Sequence, residues 1–214
     1  GDEYNFCPVE QDIKVSASTR QPVIQNVDEG AARQTLVVSM TYQVPASLGE
    51  TRSERSQDVV NLPIVTRISL SPGMRRVEIQ TTVENTAKDH RLRAHFPVPI
   101  EVDSVPAVVG FQAEGHFDVI TRSLDLPTDT ETWVEQPAPT HPQRTWSDVS
   151  DGETGLLVAN RGLPEVEVMR TENGVEVALT LLRAVGWLSR SDMSVRQGHA
   201  GPGLPTPEAQ CLDA

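Results

Sequence analysis

The sequence predicts an all-β protein, a large antiparallel β-sandwich, and three observations carry that expectation. Apolar and polar residues alternate with period two in several stretches. The cleanest is Val77, Ile79, Thr81 and Val83 against Glu78, Gln80, Thr82 and Glu84, the pattern of a strand with one dry face and one wet face. These runs are short and are separated by clusters of Gly, Pro, Asn and Asp that turn the chain. No stretch sustains a helical period between caps, so strands and long connections must build the core. At 214 residues the chain has room for one large domain or two small ones, and can bury a core without disulfides or metals.

Taken in order, residues 1–8 (GDEYNFCP) have no strand period and read as a linker or loose end. The domain reading is a linker over 1–11 and a β-sandwich over 12–214, incomplete at its C-terminal end. Residues 12–15 read as a short strand. Residues 34–44 are a clearer one, rich in Val, Thr and Tyr and stopped by Pro45. Glu50, Arg52, Glu54 and Arg55 mark a solvated hairpin tip between 46 and 57. Residues 58–70 form a strand in which Pro63 implies an edge, a bulge or a break, and Ser71-Pro72-Gly73 turns the chain into a half-buried strand over 74–85. After a turn at 85–89, Leu92, Ala94 and Phe96 alternate with Arg91, Arg93 and His95. A short apolar strand is expected over 102–110. Residues 111–142 look irregular, and a loop that long is either functional or hides strands. Residues 146–151 lead into a short apolar strand at 155–160. The last is a hairpin in which Val166 and Val168 precede a turn at Asn173-Gly174, and Val175, Val177, Leu179 and Leu181 run back.

That hairpin leads into the most distinctive part of the chain. LTLLRAVGWLSRSDM followed by GHAGPGLPTPEAQC, together with GDEYNFCP, RLRAHFPVP and SDGETGLLVANRGLPEVEV, resembles in order the C-terminal β region of bacterial glycoside hydrolase family 38, the α-mannosidases. The resemblance implies a supersandwich of the galactose-mutarotase-like kind. It implies that the chain is a non-catalytic fragment of a zinc-dependent, retaining α-mannosidase, with further strands beyond its end. The linker would come from a missing N-terminal catalytic domain, which would hold the zinc and be the main partner. This fragment would then hold no cofactor of its own, act on no α-mannoside alone, and sit in the cytoplasm.

Residue chemistry is read beside that implication. A glycosidase needs two carboxylates about 5–5.5 Å apart if retaining. Asp148, Asp151 and Glu153 are the candidates, but Ser-Asp and Asp-Gly are turn chemistry, and no catalytic residue is assigned here. His116-Phe117-Asp118 has ligand spacing and His90 and His95 are five apart, yet zinc needs three or four convergent ligands, and no metal site is assigned. Nucleophile elbows and phosphate loops are absent from the sequence.

Arg183, Trp187, Arg190 and Asp192 remain as a substrate-binding group. Tryptophan faces stack on sugars, and arginine with aspartate pairs with hydroxyls. The resemblance implies that an arginine of this region, Arg183 or Arg190, reaches the pocket rim. The plainer alternatives are an Arg190–Asp192 surface pair worth about 0–1 kcal/mol and a Trp187 that plugs the end of the sandwich. Arg91, Arg93 and His95 form a stripe that suits either an interface or solvent.

The formal charge of −12 and the pI near 4.8 argue against nucleic acid and anionic membranes as partners. Cys7 and Cys211 either pair or stay as free thiols, the latter being the rule in a reducing compartment. No apolar run reaches the ~18 residues of a membrane span. An exposed strand edge is expected to favour a homo-oligomer. The alternative reading is a stand-alone carbohydrate-binding or interaction module.

Overall fold

The computed structural model describes residues 1–28, 30–100, 110–115 and 118–212. Among these residues all regular structure is β apart from two single 3-10 turns, Gly30–Ala32 and Pro207–Gln210, and three four-stranded antiparallel sheets hold the strands. The all-β antiparallel class expected from the sequence is the one observed. The chain divides into two compact units, one of Gly1–His90, Ala184–Ser191 and His199–Ala214, the other of Arg91–Arg183 and Asp192–Gly198.

The first unit holds one sheet, a meander of β1 (Val23–Asp28), β2 (Gln34–Pro45), β3 (Val59–Leu70) and β4 (Glu78–Val83). β2 and β3 pair over their whole length, from Gln34 opposite Leu70 to Pro45 opposite Val59. The strand expected around Pro63 is therefore central, not an edge. Pro63 is tolerated because its backbone faces β4 just where that ladder ends: Ile64 is the last residue paired with β4, and the Pro63 carbonyl accepts only the Glu84 N–H. The missing donor thus faces frayed chain instead of a continuous partner.

Three further expectations need correction. β4 begins at Glu78, not Met74, because its partner β3 stops at Leu70. Its Ile79 is exposed, not half-buried, because no second layer within the unit covers it. Residues 12–15 form no strand; the Asp12 carboxylate accepts the neighbouring Ile13 N–H and the Arg55 Nε–H instead, a local alternative to a ladder. The loop between β2 and β3 is the expected tip, but Arg55 is largely buried by its pairing with Asp12.

The second unit is a two-sheet sandwich. One sheet is ordered β10 (Gly155–Ala159), β9 (Trp146–Ser150), β6 (Gly110–Glu114), β7 (Val119–Ser123). The other is ordered β5 (Arg91–Val98), β12 (Gly174–Arg183), β11 (Glu165–Thr171), β8 (Thr140–Pro142). Val98, Val166, Val168, Val175, Val177 and Leu179 from the second sheet bury against Ala113 and Val149 of the first, with Phe96, Leu156 and Val158 at the margin. Interdigitated inner faces of this kind are what hold a sandwich together. The stretch read as irregular over 111–142 thus supplies β7, β8 and most of β6; the strand expected over 102–110 lies outside the described residues except at Gly110.

The hairpin of β11 and β12 is present, one residue out of the expected register. Thr171 pairs with Gly174, so the turn is Glu172-Asn173. Gly174 belongs to the strand, at φ 128°, and a Cβ there would stand 2.4 Å from the Val98 carbonyl oxygen. Glycine is required by β5 lying against it, not by the turn itself.

Candidate functional site

The four residues expected at a binding rim fall in both units: Trp187 and Arg190 in the first, Arg183 and Asp192 in the second. In the first unit, three distant segments weave together around Trp187. Residues 186–188 run antiparallel to 204–206, through the Thr206 N–H to the Gly186 carbonyl at 2.9 Å, a bridge between Trp187 and Pro205, and the Leu188 N–H to the Leu204 carbonyl at 2.9 Å. The N-terminal string supplies the third segment, with the Glu3 N–H donating to the Trp187 carbonyl at 3.1 Å.

Asp2 fastens the weave. It is 0 % exposed. Its Oδ1 accepts the Tyr4 and Asn5 N–H groups at 3.0 and 2.9 Å, and its Oδ2 accepts the Arg190 N–H at 2.8 Å. Three backbone donors on one carboxylate make a charge-assisted anchor. Ser189 does the same for the far side, its Oγ accepting the Ala200 and Gly201 N–H groups at 3.0 and 3.2 Å. Gly201 leaves room for Tyr4, whose Oη would lie 2.6 Å from a Cβ there.

Both oxygens of Asp2 accept backbone donors, so the group holds the loop in shape. The signal for Asp2 was present in the sequence, since Asp followed by two free N–H groups is standard turn chemistry. Its partner 188 residues away was not.

Arg190 is 8 % exposed, and its backbone is part of the anchor. Trp187 is half-buried. The Arg52 guanidinium lies over its ring at 5.4 Å from the centroid, a cation–π contact worth about 0.5–1 kcal/mol. Arg52 holds a left-handed backbone, φ 59°. This residue was read only as part of a solvated tip; it sets a cation over one face of Trp187.

In the second unit Arg183 ends β12 opposite Arg91, after the register shift between Thr180 and Leu182, and Asp192 is exposed. The outer face of this sheet carries the stripe of Arg91, Arg93 and His95. Sequence reasoning assigned it to an interface or to solvent, and it proves to hold its own counter-charges. Arg91 pairs with Glu165 at 3.4 Å and with Glu167 at 4.0 Å, Arg93 pairs with Glu167, and His95 pairs with Glu176. Thr180 Oγ1 donates to Glu165 Oε1 at 2.6 Å. Cross-strand neighbours of opposite sign meet because β5, β12 and β11 lie side by side in this register. Burial, then the charge of Arg93, lower the pKa of Arg91, which stays charged at any working pH.

The carboxylates considered for chemistry lie on β9 and in the turn that follows it. Asp148 lies in β9 opposite Leu157. Asp151 shapes a tight turn, accepting the Glu153 and Thr154 N–H groups at 2.9 and 2.7 Å; these donors hold its carboxyl below the usual range. Burial, then the charge of Arg55, lowers the pKa of the half-buried His90 to about 4 despite the neighbouring Asp89. Its Nε2 lies 2.8 Å from Asn85 Oδ1. Asn85 in turn donates to the Gln210 and Cys211 carbonyls at 2.9 and 3.0 Å, and Gln210 exchanges two hydrogen bonds with Asp89. Burial, then Arg122, lower the pKa of His141. Among the described residues no three His, Cys, Asp or Glu side chains gather as a metal-binding group; His116 and Phe117 lie outside them. Cys7 and Cys211 are free thiols. Among the described residues no helix is long and apolar enough to cross a membrane.

Comparison with known proteins places these observations. The family model described as "Glycosyl hydrolases family 38 C-terminal domain" matches residues 1–194. The chain is 27% identical, over 228 aligned positions, to the "Putative mannosylglycerate hydrolase" of Halalkalibacterium halodurans, covering 99% of this chain and 22% of that protein. It superposes on an α-mannosidase of Enterococcus faecalis V583 with a TM-score of 0.80 at 26% identity, covering 99% of this chain and 23% of the other. A family 38 protein from Enterococcus faecalis shares the fold, with a TM-score of 0.78 at 24% identity. The chain spans less than a quarter of the length of the curated relative it matches.

Proposed function

This chain belongs to the glycosyl hydrolase family 38 C-terminal domain family, and from that premise we propose that it is the non-catalytic β wall of an enzyme that hydrolyses α-mannosidic bonds. The proposal rests on one observation above others: nearly the whole chain matches the family's C-terminal domain while covering under a quarter of a relative's length. Bond cleavage then belongs to the remainder of a longer polypeptide. That remainder would carry the zinc ion and the pair of carboxylates of a retaining mechanism. Among the described residues of this chain no cluster fits such an ion.

In this reading the chain packs on the catalytic part and lends rim residues to the sugar pocket. Arg190 and Trp187 of the first unit are the leading pair, because the Asp2 and Ser189 anchors fix their loop; Arg183 and Asp192 are the candidates in the second unit. The mannosylglycerate named for the relative suggests an α-mannoside with an acidic aglycone as one substrate to try. A cytoplasmic setting and self-association through a strand edge belong to the same proposal. The alternative, a stand-alone sugar-binding module, differs in a measurable way: it binds mannose without any partner.

The test is hydrolysis of an aryl α-mannoside. This chain alone, with zinc supplied, is expected to give no turnover and no millimolar mannose binding by calorimetry. In the longer polypeptide, Arg190→Ala is expected to lower kcat/KM by about 10²-fold, about 2.7 kcal/mol of transition-state stabilisation, with the melting temperature recorded alongside. Turnover by the isolated chain defeats the proposal.

A further inference from the structure

The sheet of the first unit has only half of what a β layer needs. Its faces follow from the register: Ile24 stands beside Val38, and Leu36 beside Ile68, which stands beside Ile79. These five residues share one face, and the rest of those rows is Asn and Thr, with no charge among them. Farther along the same face Leu62 and Ile64 are buried, but Ile24 is 64 % exposed, Leu36 44 % and Ile79 49 %. A sheet face of period-two apolar residues is stable only against a second layer, and the unit holds a single sheet. Contiguous exposed apolar surface without charges marks a surface that another one covers.

We infer that the open end of the β1–β4 sheet is a docking surface for the rest of the same polypeptide in full-length family members. This rests on the reading that the chain is one part of a longer family 38 enzyme. The relatives supply the occupant: more than three quarters of their length lies outside the matched span, and the matched family is by description a C-terminal domain. The occupant presents an apolar, uncharged patch, since any charge set on Leu36 and Ile79 would be desolvated with no partner on this sheet.

The test labels single cysteines with a maleimide, after Cys7→Ser and Cys211→Ser remove the native thiols. Leu36→Cys and Ile79→Cys are prepared in this chain and in the longer polypeptide, with Leu157→Cys, an exposed β10 position, as reference. Relative to that reference, both sites are expected to react at least ten times more slowly in the longer polypeptide. Deuterium exchange of β1 and β4 in the unsubstituted proteins gives the same reading without mutation. Equal rates in both proteins overturn the inference. So does protection that appears in the short chain as its concentration rises, since a second copy is then the occupant. Slow labelling in a longer polypeptide that lacks mannosidase activity would sustain the docking surface and sink the functional proposal.

Discussion

At the scale of single residues, two groups set measurable behaviour. His90 is kept neutral by burial and by Arg55, with a folded pKa of about 4 against about 6.5 unfolded. Between those values the unfolded chain binds a proton that the folded one refuses. Stability from this group is therefore complete above about pH 6.5 and is lost as pH falls towards 4, by no more than about 3 kcal/mol. Replacing it, His90→Asn, should flatten that part of the stability profile in urea titrations taken from pH 7 to 4. Asp2 holds three backbone N–H groups, and Asp2→Ala leaves them without their acceptor. A loss of about 2 kcal/mol is expected, with the exchange of residues 187–190 raised more than that of β11 and β12. Unchanged exchange at 187–190 would show that the anchor is dispensable.

Strands were legible where one face is dry and the other wet, which is why β2, β5, β10 and the β11–β12 pair follow the alternation of their residues. The exceptions have physical causes. The residues of 12–15 alternate like a strand but have no neighbour to pair with, and Asp12 is taken by Arg55. Asn173-Gly174 looks like the turn, but Gly174 is held in the strand by the approach of Val98, a long-range fact that no local pattern carries. Gly174→Ala tests this: the Cβ meets that carbonyl at 2.4 Å with φ at 128°, and a cost of about 3 kcal/mol is expected by chemical denaturation, against near neutrality if the glycine served only the turn. The candidate rim was legible in part. Arg183, Trp187, Arg190 and Asp192 stood out by residue type; the hold of Asp2 on Arg190 and the cover of Trp187 by Arg52 did not, because their partners lie 188 and 135 positions away.

At the scale of the whole molecule, the first unit is built from both ends of the chain. The Pro207–Gln210 turn returns to residues 85–90, where Gln210 brackets Asp89 and its carbonyl accepts from Asn85. Deleting residues 206–214 should therefore loosen β3 and β4 in deuterium exchange while β11 and β12 keep their protection; equal loosening of both would mean that the units do not fold separately. The interleaving also orders events on the ribosome. The strands of the second unit are all synthesised before residue 184, so its core can close while the first unit still waits for its clip. The β1–β4 sheet is then made before the second unit but secured after it. Until the clip arrives its bare Ile and Leu row is on offer, and a chaperone that binds extended apolar segments would find a target there.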